Sequence, residues 1–148
     1  MPTRRQEPAP QQAPEGAETL VAAARAIRER AYAPYSRFKV GAALRDETGR
    51  IHVGANIENA AYPVSQCAEA SALAALVAAG GRRITAVAVV GVAREPVTPC
   101  GACRQRLREF AAADVPVWVA DEQTLRARFT LGELLPASFG PAHLDGGG

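Results

Sequence analysis

The chain has 148 residues and three cysteines, which all lie in two short segments. The first reads C-A-E at residues 67–69, and the second reads P-C-G-A-C at residues 99–103. An odd number of thiols does not make a complete disulfide framework. Three thiolates do hold one zinc ion and leave its fourth tetrahedral position open, as catalytic zinc sites require. The two segments are therefore predicted to meet around one zinc ion per chain, with Cys67, Cys100 and Cys103 as its ligands.

Glu69 lies two residues after the first cysteine, where a carboxylate is placed to carry protons for a reaction at the metal. The pattern C-x-E followed by P-C-x-x-C resembles the signature of zinc-dependent nucleobase deaminases. A redox C-x-x-C pair is the first alternative, but it leaves Cys67 and Glu69 unexplained. A structural zinc site is the second, and it needs a fourth ligand. The two histidines, His52 and His143, lie in a predicted strand end and a predicted tail.

Composition narrows the class of protein. A net charge of +2 gives no strong electrostatic footprint for a polyanion, and 5% aromatic residues are too few for an extended base-stacking surface. No stretch approaches the roughly 20 apolar residues that span a bilayer. The first residues lack the apolar run of a secretory signal. We expect a cytoplasmic enzyme without a nucleic-acid or membrane partner, since metal-binding thiols suit a reducing compartment.

The hydrophobic pattern predicts an α/β protein. Helices are expected at 18–31, 67–79 and 100–112, with a short one at 131–135; strands are expected at 38–44, 51–55, 84–92, 115–120 and 129–131. This order indicates a three-layer α/β/α sandwich on a mixed sheet of roughly five strands. Residues 1–16 are predicted to form a disordered tail, 17–142 the catalytic domain and 143–148 a flexible tail.

Several blocks together resemble the small cytidine deaminase family. They are YSRFKVGAAL at 35–44, NIENAAY at 56–62, the two cysteine segments and SFGP at 138–141, and the match runs from residue 18 to residue 142 in the family's order. The resemblance implies hydrolytic deamination of cytidine and 2′-deoxycytidine to uridine and 2′-deoxyuridine in pyrimidine salvage. It also implies a homotetramer whose active sites are shared between subunits.

The resemblance assigns roles to individual residues. It makes Cys67, Cys100 and Cys103 the zinc ligands and Glu69 the proton shuttle. The residues that it implies for nucleoside binding are Phe38, Asn56 and Glu58 at the base and ribose, the backbone N–H of Ala68 at the pyrimidine, Phe139 at a neighbouring subunit's base pocket, and Tyr35 and Tyr62 at the pocket and interface. Each also has a plainer interpretation: a core side chain for Phe38, loop polarity for Asn56 and Glu58, and a tail anchor for Phe139.

One position departs from the family pattern. The family commonly has arginine directly after C-A-E, where it hydrogen-bonds the thiolates, and this chain has Ala70. Losing such a supporting contact typically costs about 10–100-fold in metal affinity or activity. Three explanations stay open: another donor, with Arg104 the first candidate; sufficient compensation by the helix dipoles; or a different aminohydrolase substrate.

Three other functions are weighed against nucleoside deamination. A deaminase of a modified or antibiotic cytosine nucleoside, of the blasticidin type, shares the zinc motifs but not the full set of blocks. A nucleic-acid editor is disfavoured because Glu58 beside the sugar repels a phosphate. A zinc-binding module without activity has no use for Glu69 or for an open coordination position.

Overall fold

The computed structural model describes residues 16–145. It contains four helices, α1 (Ala17–Arg28), α2 (Ala68–Ala78), α3 (Gly101–Arg108) and α4 (Leu131–Leu134), and five strands, β1 (Gly41–Asp46), β2 (Ile51–Ala55), β3 (Ile84–Val90), β4 (Pro116–Ala120) and β5 (Leu125–Thr130). The sheet order is β2-β1-β3-β4-β5. Only the β3–β4 pair is parallel, so the sheet is mixed as predicted.

The two faces of the sheet bury different side chains. Small residues such as Ala43 and Ala88 face α1, while Leu44, Val87 and Val117 face α2, α3 and α4. This alternation follows from the two-residue period of a strand, and it confirms the predicted three-layer α/β/α sandwich.

Gly54 in β2 sets the position of α2. A Cβ atom there would lie 2.3 Å from the backbone nitrogen of Ala72 and 2.7 Å from the carbonyl oxygen of Ala68. Only glycine therefore allows the first turns of α2 to rest directly on the strand. This contact fixes the height at which Cys67 and Glu69 stand above the sheet.

Two predicted strands begin at the wrong residue, and the strand expected at 84–92 ends two residues early at Val90. The strand expected at 38–44 begins at Gly41, because the Asn56 side chain takes the place of a neighbouring strand: it accepts from Val40 N–H and donates to the Phe38 carbonyl, both at 2.8 Å. The strand expected at 129–131 is β5, which begins at Leu125. Its alternating arginines interrupt the apolar pattern that predicts a strand, because β5 is an edge strand whose side chains are half exposed.

The helix expected at 100–112 is α3, and it ends four residues early at Arg108. The carbonyl of Phe110 accepts instead from Ile84 N–H, which draws the chain out of the helix toward β3.

Parts of the predicted tails fall outside the described range, namely residues 1–15 and 146–148. Residues Pro141–His143 form a 3₁₀ turn. Within 16–145, no helix is both long enough and apolar enough to cross a bilayer.

Candidate active site

The structure brings the three cysteines together at the starts of two helices. Cys67 is the N-cap of α2, Cys100 is the N-cap of α3, and Cys103 lies in the first turn of α3. All three Sγ atoms lie within 4.8 Å of one another, with 3.9 Å between Cys67 and Cys100. None forms a disulfide. The donor set of three convergent thiols fits zinc, which favours sulfur ligands.

The electrostatics of the cluster also fit a cation. Burial, followed by the charge of Glu69, raises the pKa of Cys103 far above that of a free thiol. Burial and then the neighbouring Cys100 raise the pKa of Cys67. Three thiolates this close together repel one another, and a divalent cation between them turns that repulsion into attraction.

Glu69 stands in the first turn of α2 and is only 5% exposed. Burial raises the pKa of its carboxyl group, while a hydrogen bond with Cys103 and the charge of Arg106 act in the opposite direction. The carboxyl group therefore lies beside the sulfur cluster in a site shielded from bulk water. This is the position that the sequence predicted for a proton carrier.

Arg104, the first candidate to take the place of the missing arginine, hydrogen-bonds to other groups instead of the thiols. Its guanidinium donates to the Pro99 carbonyl at 2.7 Å, to the Leu134 carbonyl at 2.8 Å and to Thr98 Oγ1 at 3.0 Å. These bonds tie the segment before Cys100 to α4. The arginine that does reach a thiol is Arg106, whose Nη1 lies 3.7 Å from Cys103 Sγ.

Glu58 braces the turn at residues 35–36. Its Oε1 accepts the backbone N–H groups of Tyr35 at 2.9 Å and Ser36 at 3.1 Å, and its Oε2 accepts the Ser36 hydroxyl. The Ser36 contacts hold the pKa of Glu58 below its usual range, so the group is a carboxylate at neutral pH. A carboxylate offers about four acceptor positions, which leaves one for a ligand.

Phe38 and Asn56 lie next to this brace, because Phe38 N–H donates to Ser36 Oγ and the Asn56 amide donates to the Phe38 carbonyl. The segments 35–40, 56–58 and 62–65 are called the rim below. The Asn56 amide spans the Phe38–Val40 segment, as described for β1, and retains one donor and one acceptor position. Phe38 is 40% exposed and is absent from both core clusters. Its alternative interpretation as a core residue is therefore wrong.

Tyr35 and Tyr62 form an edge-to-face pair with ring centroids 5.7 Å apart. They line a cavity of about 360 Å³ together with Ser36, Glu58 and Ser65. Three of the predicted nucleoside-binding residues thus share one depression. Ala68 is fully buried as the first residue of α2, where the backbone N–H has no partner within the helix.

Phe139 projects from a turn that α3 holds in place. Gln105 Nε2 donates to the Phe139 carbonyl at 2.9 Å, and Arg108 Nε donates to Ser138 Oγ at 2.8 Å. The Phe139 ring is 56% exposed and stacks on His143 with centroids 5.0 Å apart. The helix that carries two of the three cysteines therefore also anchors this exposed aromatic ring.

Sequence reasoning missed two supporting residues, Ser36 and Arg106. Ser36 lies within the 35–44 block, but its bond to Glu58 joins distant parts of the chain. Arg106 had a usable signal, because residues three apart on a helix share a face and Cys103 lies three positions before it.

Taken together, three thiols at two helix starts and a buried glutamate on an α/β/α sandwich define a zinc-dependent aminohydrolase of nucleobases. A family model described as the cytidine and deoxycytidylate deaminase zinc-binding region matches residues 14–119. The chain belongs to this family.

Curated relatives match along most of the chain. The chain is 44% identical over 128 residues to a cytidine deaminase of Sporosarcina psychrophila, covering 86% of this chain and 94% of the relative. It is 46% identical over 122 residues to a cytidine deaminase of Halalkalibacterium halodurans, covering 82% and 92%. The crystal structure of cytidine deaminase from Burkholderia pseudomallei superposes with a TM-score of 0.78 at 45% identity, covering 82% of this chain and 98% of that one.

Proposed function

We propose that the protein hydrolyses the exocyclic amine of cytidine and 2′-deoxycytidine, giving uridine or 2′-deoxyuridine and ammonia, as a step of pyrimidine salvage. One observation carries the proposal: three cysteine sulfurs lie within 4.8 Å of one another directly beside the buried Glu69. A zinc-binding module without activity needs no buried carboxylate there.

Cys67, Cys100 and Cys103 hold the zinc ion in this proposal. When bound in a site with an open position, zinc makes water a nucleophile near neutral pH. Glu69 accepts the proton that the water gives up and delivers it to the ring nitrogen beside the attacked carbon. The same carboxylate then assists the departure of ammonia. Its place in the first turn of α2 keeps it within the sulfur cluster and away from bulk water.

The rim selects the nucleoside. The remaining acceptor position of Glu58 suits a ribose hydroxyl, and the free amide positions of Asn56 suit the ribose and base. Phe38 offers an exposed apolar face to the base. The backbone N–H of Ala68, at the start of α2, is available to donate to the pyrimidine. Tyr35 and Tyr62 close the same side of the depression.

We further propose a homotetramer with shared active sites, in the cytoplasm, where the thiols stay reduced. Large apolar side chains are exposed at two places: Tyr32, Tyr35, Phe38, Ile57, Tyr62 and Val64 on or beside the rim, and Phe139 in the turn held by α3, are each at least 40% exposed. Clusters of this kind mark interaction surfaces. In the assembled protein Phe139 reaches the base pocket of a neighbouring subunit.

The direct test follows the loss of cytidine absorbance with purified protein and with Glu69→Gln. The substitution keeps the size of the side chain and removes its proton chemistry, so kcat is expected to fall about 10²–10⁴-fold while zinc content and fold persist. Glu109→Gln, at an exposed position, is the matched control and should retain full activity. A Glu69→Gln protein with more than about a tenth of wild-type kcat contradicts the assigned role.

A substrate panel tests the specificity. Cytidine and 2′-deoxycytidine are expected to be turned over much faster than cytosine nucleosides modified as antibiotics. A preference for a modified nucleoside would replace the proposed substrate while leaving the zinc chemistry intact.

A further inference from the structure

Arg106 contacts the sulfur cluster from α3, the helix that also contains Cys103. It lies one helical turn after Cys103 on α3, and its guanidinium Nη1 approaches Cys103 Sγ to 3.7 Å. That distance is normal for a hydrogen bond to sulfur, which is a large acceptor. Because residues three apart share a helix face, the backbone of α3 itself directs this side chain toward the cysteine.

The cluster needs a positive neighbour. Three thiolates and one zinc ion leave a net charge of −1, and the Glu69 carboxylate beside them adds to it. The starts of α2 and α3 supply part of the compensation. The methyl group of Ala70, half buried on α2, supplies none.

The other two arginines on α3 hydrogen-bond to groups outside the sulfur cluster. Arg104 holds Pro99, Thr98 and Leu134. Arg108 holds Ser138 in the turn before Phe139. Among the three arginines of α3, Arg106 alone donates to a sulfur atom.

We propose that Arg106 is a positioning residue for the metal, and that from α3 it provides a hydrogen bond to the Cys103 thiolate. The inference rests on the proposed zinc site. A hydrogen bond to Cys103 restrains the direction of the sulfur and lowers the electron density that it gives to the metal.

The test measures metal retention directly. Arg106→Gln and Arg106→Lys are compared with wild type and with Arg30→Gln, an exposed arginine at the end of α1 that serves as the control. Zinc loss is followed in excess chelator with a chromogenic zinc indicator. Arg106→Gln is expected to lose zinc about 10–100-fold faster than wild type, Arg106→Lys to fall in between, and Arg30→Gln to match wild type.

A spectroscopic readout separates positioning from general stability. In cobalt-substituted protein, loss of the hydrogen bond raises the energy of the sulfur electrons, so the sulfur-to-cobalt charge-transfer band of Arg106→Gln should shift to longer wavelength. The melting temperature of the metal-free variant should stay that of metal-free wild type.

Two results overturn the inference. One is a rate of zinc loss and a cobalt band in Arg106→Gln that equal those of wild type. The other is a metal-free Arg106→Gln protein that melts at a lower temperature than metal-free wild type. A wild-type protein that binds no zinc overturns the proposed function as well. Failure of the inference appears only in the variants, whereas failure of the proposed function already appears in wild type, so the two failures are distinct.

Discussion

The sulfur cluster and the rim of the depression are built in opposite ways. The cluster stands at the starts of two helices, with Cys103 fully buried and Glu69 5% exposed. The rim consists of connecting segments, with Tyr35 50% and Tyr62 69% exposed. The proposed chemistry thus belongs to two helix starts, where Cys103 and Glu69 are buried, and the proposed selectivity belongs to exposed connecting segments.

The difference shows in how each region is held. The cluster is positioned by packing within one chain, through the contact of α2 with Gly54 and through the fully buried Pro99. In the rim, the side chains of Glu58 and Asn56 hydrogen-bond to the backbone of residues 35–40, and Arg37 adopts a positive φ of 61°. Such conformations cost of order 1–3 kcal/mol and gather at functional sites.

The strongest test of the comparison removes one ligand. Cys103→Ala should abolish zinc binding and activity together, because two thiolates hold zinc far less tightly than three. The fold should survive, since a small side chain is replaced by a smaller one. The measurements are zinc per chain by elemental analysis, kcat with cytidine, and the far-UV circular dichroism spectrum.

Cys103→Ser, which keeps size and polarity, is the matched control for the loss of volume and should also fail to hold zinc. Full zinc retention by Cys103→Ala would show that the metal is not held by this cluster.

Truncation of the exposed Phe139 side chain should act differently. In the proposed shared site Phe139 packs on the nucleoside, and Phe139→Ala would remove apolar burial worth about 1.5–3 kcal/mol, so kcat/KM should fall roughly 10–100-fold. Zinc content should not change, because Phe139 lies outside the sulfur cluster. Cytidine kinetics and elemental analysis give both quantities.

Leu144→Ala is the control, because Leu144 is 75% exposed and lies close by in the chain. Light scattering shows at the same time whether the oligomer persists. A monomeric Phe139→Ala protein with wild-type kcat/KM would contradict both the proposed shared site and the proposed assembly.

How far the sequence predicts each region follows from the same contrast. The cysteine motifs are short and local, and the helices that they open are expected from periodicity, so the meeting of Cys67 with Cys100 and Cys103 is predictable. The roles of Asn56 and Glu58 in bracing residues 35–40 depend on backbone geometry between distant segments. Periodicity contains no such information, which is why the first strand was expected three residues too early.

The smallest expected effect concerns the brace between Ser36 and Glu58. Ser36→Ala removes the hydroxyl that donates to Glu58 and accepts from Phe38 N–H. Activity should fall by less than in Phe139→Ala, since two backbone N–H groups still hold the carboxylate. Zinc content should be unchanged.

The pH dependence of this effect follows from the direction of the Glu58 shift. Because the Ser36 contacts lower the pKa of Glu58 in the folded protein, their stabilisation is fully present above the unfolded value of about 4.3 and is lost as the pH falls below it. The difference in melting temperature between wild type and Ser36→Ala should therefore be largest above about pH 5 and narrow below about pH 4. Both proteins keep the same thiols, so acid loss of zinc cancels in this difference. In a Glu58→Gln background the Ser36→Ala difference should not vary with pH, and a wild-type difference that stays constant into acid would show that the carboxylate does not hold the turn.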